Sequence, residues 1–262
     1  NISKLIHSIF MWSYYLISAS VNFSVSLLLG LFVLYKNPRA RLNRSLFFWC
    51  FTVAFWSFFY CLWQIEKNDS TMALFWTRML MLGAVWIPVA YLKVVVVFLN
   101  IEKRYKKFLS LNYLFSFIFS LLLLTPLMVD HVEPLMGFTF WPKPGLAYAP
   151  FLAMFLGVSA YSAYLSYRAL KTEQSAVKRA QIKYLLFGMA ISLMGGSTNY
   201  FLWYNIPIKP YGNLFASTYV LFTVYAIIRY RLMDIRIVAR KIAIYFVSAT
   251  FVYGMFYLVI WF

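Results

Sequence analysis

The chain has 262 residues, 63% of them hydrophobic and 12% charged, with a formal net charge of +17. Soluble chains average about 25% charged residues, so this composition excludes a soluble globular domain and points to a membrane protein. Nucleic-acid binding is set aside too, because eighteen of the 24 Lys and Arg are spread over four segments, 36–44, 102–107, 168–183 and 229–241, separated by apolar runs.

Apolar runs of about 20 residues read as membrane helices. Stretches free of Asp, Glu, Lys and Arg cover 5–35, 45–65, 108–129, 144–167, 184–208, 210–228 and 242–262, and the run 75–99 holds only Arg78 and Lys93. Long alternating patterns are absent from the sequence, which argues against a barrel. The expected fold is all-α, a polytopic transmembrane helical bundle of seven spans plus an eighth at 242–262. Basic segments alternate with neutral or acidic ones holding Glu66, Asp69, Asp130 and Glu133. The positive-inside rule then places the N-terminus outside, with the basic face against anionic lipid.

In chain order, residues 1–12 are expected along the outer interface, ahead of a first span over roughly 13–35. There Ser18, Asn22 and Ser26 recur every four residues and form one polar stripe, which normally faces other helices. Span two, about 45–65, is strongly aromatic. Its Cys50 and Cys61 lie about 16 Å apart along one helix, too far for a disulfide. Span three, about 75–99, contains Pro88, expected to kink or loosen it. Span four covers about 108–128, and a proline-rich outer loop follows over about 129–149. Span five, about 148–167, leads into a basic internal segment, RALKTEQSAVKRAQIK, expected to extend the flanking helices. Span six, about 184–204, has Gly188, Ser192 and Gly196 at four-residue spacing, a face that lets helices approach closely. Span seven begins near Gly212-Asn213. The sequence starts without Met and ends in an apolar run, so it reads as a piece of a longer chain.

The chemistry-bearing residues exclude more than they suggest. All seven acids, Glu66, Asp69, Glu102, Asp130, Glu133, Glu173 and Asp234, fall in loops or junctions. Coupled transporters commonly use an intramembrane carboxylate, and none is available. His7 and His131 both map to the outer side, so no Ser–His pair inside the bundle and no cytoplasmic phosphoacceptor is expected. Phosphate loops and cysteine metal clusters are also missing from the sequence. Asp130, His131 and Glu133 read as a solvated loop rather than a metal site. The expectation is no catalytic residue, no metal and no cofactor.

Three segments carry a resemblance: QIKYLLFG (181–188), IPIKPYGN (206–213) and YAIIRYRLMDI (225–235). Together they resemble the seven-span N-terminal sensor region of bacterial membrane histidine kinases, most strongly over 180–240. The resemblance implies a multi-pass protein of the inner (plasma) membrane. It also implies a homodimer, for which the small-residue face of span six is a candidate interface. Its domains would be a seven-span sensor domain, 1–241, an eighth helix, 242–262, and an output domain outside this sequence. That output domain would carry a phosphoacceptor histidine and an ATP site and would act on a cytoplasmic response regulator. In related regions the output is a cyclic-dinucleotide synthase. The eighth run departs from the simplest layout and requires a ninth span before a cytoplasmic kinase.

Placing polar and aromatic groups by depth gives a candidate pocket for a small extracellular or membrane-borne ligand. Trp63, Gln64, Trp76, Arg78, Asn199, Trp203 and Asn213 share the outer level, with Arg78 as an anion clamp. The same groups also suit an interfacial aromatic belt and a snorkelling arginine. Arg229, Arg231, Asp234 and Arg236 form a signal junction, where Arg231 and Asp234 are spaced to pair on one helix face. The expected function is the input region of a sensor histidine kinase in a two-component system, passing a ligand-induced helix rearrangement inward. The alternative is a transporter or permease for an apolar or anionic solute.

Overall fold

The computed structural model describes residues 2–230. Seven helices follow in order: α1 (Ile2–Lys36), α2 (Arg41–Ile65), α3 (Ser70–Phe98), α4 (Glu102–Leu122), α5 (Tyr148–Thr172), α6 (Ala176–Ser197) and α7 (Thr218–Tyr230). A hairpin of β1 (Val129–Leu135) and β2 (Phe138–Pro144) lies between α4 and α5, and short 3₁₀ turns join α6 to α7. Among the described residues, five helical segments are long and apolar enough to cross a membrane: Tyr14–Lys36, Arg41–Ile65, Ser70–Phe98, Tyr148–Thr172 and Ala176–Tyr204. The expected eighth span, 242–262, lies outside the described residues.

Local chemistry sets the helix ends. Asn37 Oδ1 accepts from the backbone N–H groups of Arg39 and Ala40, turning the chain between α1 and α2. Asp69 caps α3 by accepting from Thr71 and Met72. At the far end of α3, Asn100 takes a left-handed conformation (φ 58°). The N–H of Ile101 then reaches Val96 and that of Asn100 reaches Val97, which closes a Schellman turn. Ser175 caps α6, and α5 and α6 extend into the basic segment between them, as its composition predicts. Helix α1 runs unbroken from Ile2, since residues 2–12 have neither Pro nor Gly to end it.

Helix α3 is the axis, with 72% of its apolar window buried, and it continues through Pro88. Its Gly83 lies so close to α2 that an added Cβ would stand 2.7 Å from the backbone nitrogen of Trp56. The core forms two stacked clusters. One surrounds Leu29, Trp49, Tyr91 and Tyr219; the other, toward the hairpin, surrounds Trp63, Trp141, Tyr148 and Trp203. At the end away from the hairpin, Lys93 pairs with Glu102, which also lies 3.7 Å from Arg41, so charges clasp α2, α3 and α4. Phe51, Phe58, Leu114 and Phe117 are exposed apolar side chains, as a surface facing lipid requires.

The loop at 129–149 is an ordered hairpin, which hydropathy alone did not indicate. Its strands pair Val129 with Pro144, Val132 with Pro142, Glu133 with Trp141 and Leu135 with Phe138. Met136 and Gly137 both have positive φ, 49° and 95°, as the two central residues of a type I′ turn must. Trp141 and Lys143 of β2 are buried. Lys143 donates to Asn205 and lies 2.8 Å from Glu133, fixing the hairpin to the turn after α6.

Candidate functional site

One stripe on α2 builds the site. Trp49, Val53, Trp56, Tyr60 and Trp63 recur at spacings of four and three, so they share a helix face. All five line one cavity, with Leu80 and Met81 of α3, Phe155 of α5, Asn199 beyond α6 and Tyr219 of α7. The hairpin contributes Trp141 and Pro142 and covers it. The cavity volume is about 80 Å³, counted as space open to the centre of a water molecule. A water needs roughly 10–15 Å³ by that measure, so there is room for several waters or a small organic molecule.

The walls are ordered aromatic contacts. Trp203 stacks on Tyr148 at 4.2 Å, and Trp63 lies nearly parallel to Phe138 at 6.0 Å. Trp49 and Tyr219 are 4.1 Å apart between centroids. Trp63 donates its indole N–H to the carbonyl of Phe140, tying α2 to the hairpin at 2.7 Å. None of the described lining residues carries a charge. Five polar atoms in the wall residues, Trp49 Nε1, Tyr60 Oη, Trp141 Nε1, Asn199 Oδ1 and Tyr219 Oη, are buried and have no hydrogen-bond partner among the described residues. Each such group costs about 1–3 kcal/mol when left unmade.

The seven residues placed together by depth separate here. Trp63, Asn199 and Trp203 belong to the wall. Gln64, Trp76, Arg78 and Asn213 do not. Arg78 Nη2 donates to the carbonyl of Val129 at 3.1 Å, so the guanidinium holds the base of the hairpin instead of clamping an anion in the cavity. Trp76 stacks on Phe59 at 5.9 Å, and Gln64 is buried on α2. Asn213 joins three segments: it donates to Ser18 Oγ at 3.0 Å, accepts from Asn199 at 3.2 Å, and its carbonyl accepts from Asn22 at 2.9 Å. The polar stripe of span one thus faces the bundle, with Ser18, Asn22 and Ser26 at 0–1% exposure.

The small-residue face of α6 is used inside the chain rather than left free for a second copy. A Cβ on Gly188 would lie 2.7 Å from Phe222 Cβ and 3.1 Å from Tyr219 Cα, and Ser192 Oγ accepts from the N–H of Tyr219 at 2.9 Å. Gly196, by contrast, belongs to the cavity wall, and a Cβ there would meet no atom within 4 Å. Of the junction, Arg229 is exposed in the last turn of α7; Arg231, Asp234 and Arg236 lie outside the described residues.

On the hairpin surface, His131 lies 2.9 Å from Asp130 and 3.5 Å from Glu133. The hydrogen bond to Asp130 raises the imidazole pKa, and Lys143 lowers that of Glu133. Among the described residues no group of three such side chains is placed to hold a metal ion. No curated protein and no solved structure matches the chain. A family model described as the N-terminal 7TM region of histidine kinase matches residues 17–236.

Proposed function

Since the chain belongs to the family of N-terminal 7TM regions of histidine kinases, we propose that it is the signal-sensing input region of a bacterial sensor kinase in a two-component system. It would cross the inner membrane seven times, with the N-terminus and hairpin outside and 242–262 as an eighth helix. A homodimer would carry the output domain that phosphorylates a response regulator. One observation carries the sensing role: the charge-free cavity shares Tyr219 with α7, and the last turn of α7 holds Arg229 of the basic junction. Ten residues of helix separate the two, about 15 Å. A ligand that favours one packing of α7 against α6 biases the junction directly.

The test is autophosphorylation of the full-length kinase in lipid nanodiscs, with Gly196→Val placed to occupy the cavity. The expected result is a basal rate changed severalfold, with any response to stimulus blunted. Unchanged basal and stimulated rates would overturn the sensing role of the cavity.

A further inference from the structure

At the end of the bundle away from the hairpin, a charged pocket opens between α2, α3 and α4. Its walls hold three cations, Arg41, Arg44 and Lys93, against one acid, Glu102, with Phe48 and Tyr113 beside them. Lys93 is committed to Glu102, and Arg41 lies 3.7 Å from the same carboxylate with its side chain 76% exposed. Arg44 is exposed, and no carboxylate stands within 4 Å of it among the described residues. Three cations against a single carboxylate leave an excess of positive charge, carried by two arginines three residues apart on one helix face. Both stand in the first turn of α2, which starts with no side-chain cap at Ala40 and no acid. The positive end of the helix dipole disfavours cations there, so an anion between the two guanidinium groups relieves both.

An apolar groove begins where this pocket ends. Phe48 lines both, and the groove continues along Phe51 and Phe55 of α2 and Leu82, Gly83 and Trp86 of α3. Phe48 meets Trp86 edge-on at 6.1 Å, and Trp86 lies 6.1 Å from Tyr113, so aromatic rings join the two sites. Seven residues separate Phe48 from Phe55, about 10 Å of helix running toward the hairpin end. No charged side chain lines the groove. We infer that pocket and groove together bind an anionic phospholipid, its phosphodiester between Arg41 and Arg44 and an acyl chain laid along Phe51 and Phe55. Guanidinium groups take phosphate oxygens through paired N–H donors, and basic pockets between membrane helices hold anionic headgroups. A soluble phosphate would leave the groove idle, and a purely apolar molecule would leave the arginines idle. The inference needs the chain to lie in a membrane but not the sensing role of the cavity, so either can fail alone.

The full-length protein in nanodiscs of dioleoylphosphatidylcholine with a minority of dioleoylphosphatidylglycerol tests this. p-Benzoylphenylalanine in place of Phe51 reports, by photocrosslinking and mass spectrometry, which lipid lies in the groove. In place of Phe58, exposed on α2 outside the groove, it reports the surrounding bilayer. Phosphatidylglycerol is expected to be enriched at the Phe51 position roughly fivefold over its share of the bilayer, the effect of one cation near the surface, and not enriched at the Phe58 position. Arg44→Gln should bring the Phe51 value close to that of the bilayer, and Arg41→Gln should lower it. Both variants should melt cooperatively, because both side chains are exposed. Excess inorganic phosphate at matched ionic strength should leave the enrichment in place.

Equal shares of phosphatidylglycerol at the two positions would overturn the proposal. So would an enrichment that survives Arg41→Gln and Arg44→Gln together, since the anionic lipid would then be held by other basic residues. Loss of the enrichment in inorganic phosphate would make the pocket a site for a soluble anion. Crosslinking from the Phe51 position to a peptide, whether from 242–262 or from a second copy of the chain, would show that protein and not lipid occupies the groove.

Discussion

Asn213 makes more inter-segment hydrogen bonds than any neighbour around it. Its side chain donates to Ser18 and accepts from Asn199, while its carbonyl accepts from Asn22, all in a region from which water is excluded. Replacing it by Ala removes its two side-chain bonds, while Ser18 still donates to Tyr15 and Asn199 to Gly196, and the expected loss of stability is roughly 1–3 kcal/mol. Asn22→Ala, which removes one donor, should cost less. Thermal denaturation of the two variants in the same detergent measures the difference, and equal losses would show that the network is not centred on Asn213. Arg78 acts at the same scale but at the edge. Its bond to Val129 ties α3 to the hairpin, so Arg78→Ala should destabilise by about 1–2 kcal/mol. Because the guanidinium is not in the cavity wall, the response of autophosphorylation to stimulus should be nearly unaltered in that variant.

The hairpin is the element that most separates the structure from its sequence, and two of its features predict measurable behaviour. Its turn places Met at a left-handed position beside Gly137, where Asn is better suited. Met136→Asn should therefore stabilise the hairpin by about 0.5–1 kcal/mol, and Gly137→Ala should destabilise it; amide exchange of 129–144 reads both signs. Its charges make it pH-sensitive. His131 is raised from 6.5, chiefly by Asp130, so its contribution is complete below pH 6.5 and is lost as pH rises through the raised value. Glu133 is lowered from 4.5, chiefly by Lys143, so its contribution is complete above pH 4.5 and is lost as pH falls through the lowered value. Exchange protection should be greatest between pH 4.5 and 6.5, and His131→Ala should remove the decline on the alkaline side alone. The effect should be small and sensitive to salt, because these side chains are exposed. Hydropathy marked the long helices because a single run of uncharged residues suffices to specify each one. Strands of seven residues interrupted by Pro134, Pro142 and Pro144 offer no such run. The stripe from Trp49 to Trp63 has helical spacing, but the sequence showed span two only as strongly aromatic throughout, which does not single out the cavity face of α2. The rotation of α3, which turns Arg78 to the hairpin, was not visible, since depth in a membrane says nothing of azimuth.

At the scale of the whole molecule, α6 is shared between the cavity and α7. One face, at Gly188 and Ser192, is pressed on α7; Gly196 faces the open space of the cavity. A displacement of Tyr219 is expected to act on the contact of α7 with Gly188, where an added Cβ would lie 3.1 Å from Tyr219 Cα. Demonstrated coupling needs an element with two arrangements, and this contact is where they would differ. Gly188→Ala forces the issue, because its Cβ would lie 3.1 Å from the backbone of Tyr219 and 2.7 Å from Phe222 Cβ. The neighbouring helix has to retreat by a fraction of an ångström without any ligand present. In the full-length kinase this should shift the basal balance of signalling states by about 1 kcal/mol, which is about fivefold in autophosphorylation rate. Gly157→Ala, on an exposed face of α5 where a Cβ meets nothing within 4 Å, should leave the rate unchanged. A rate equal to wild type in both variants, with both folded, would place the signalling path elsewhere than between α6 and α7. A changed rate in Gly188→Ala alone would make that contact the element both the cavity and the junction act upon.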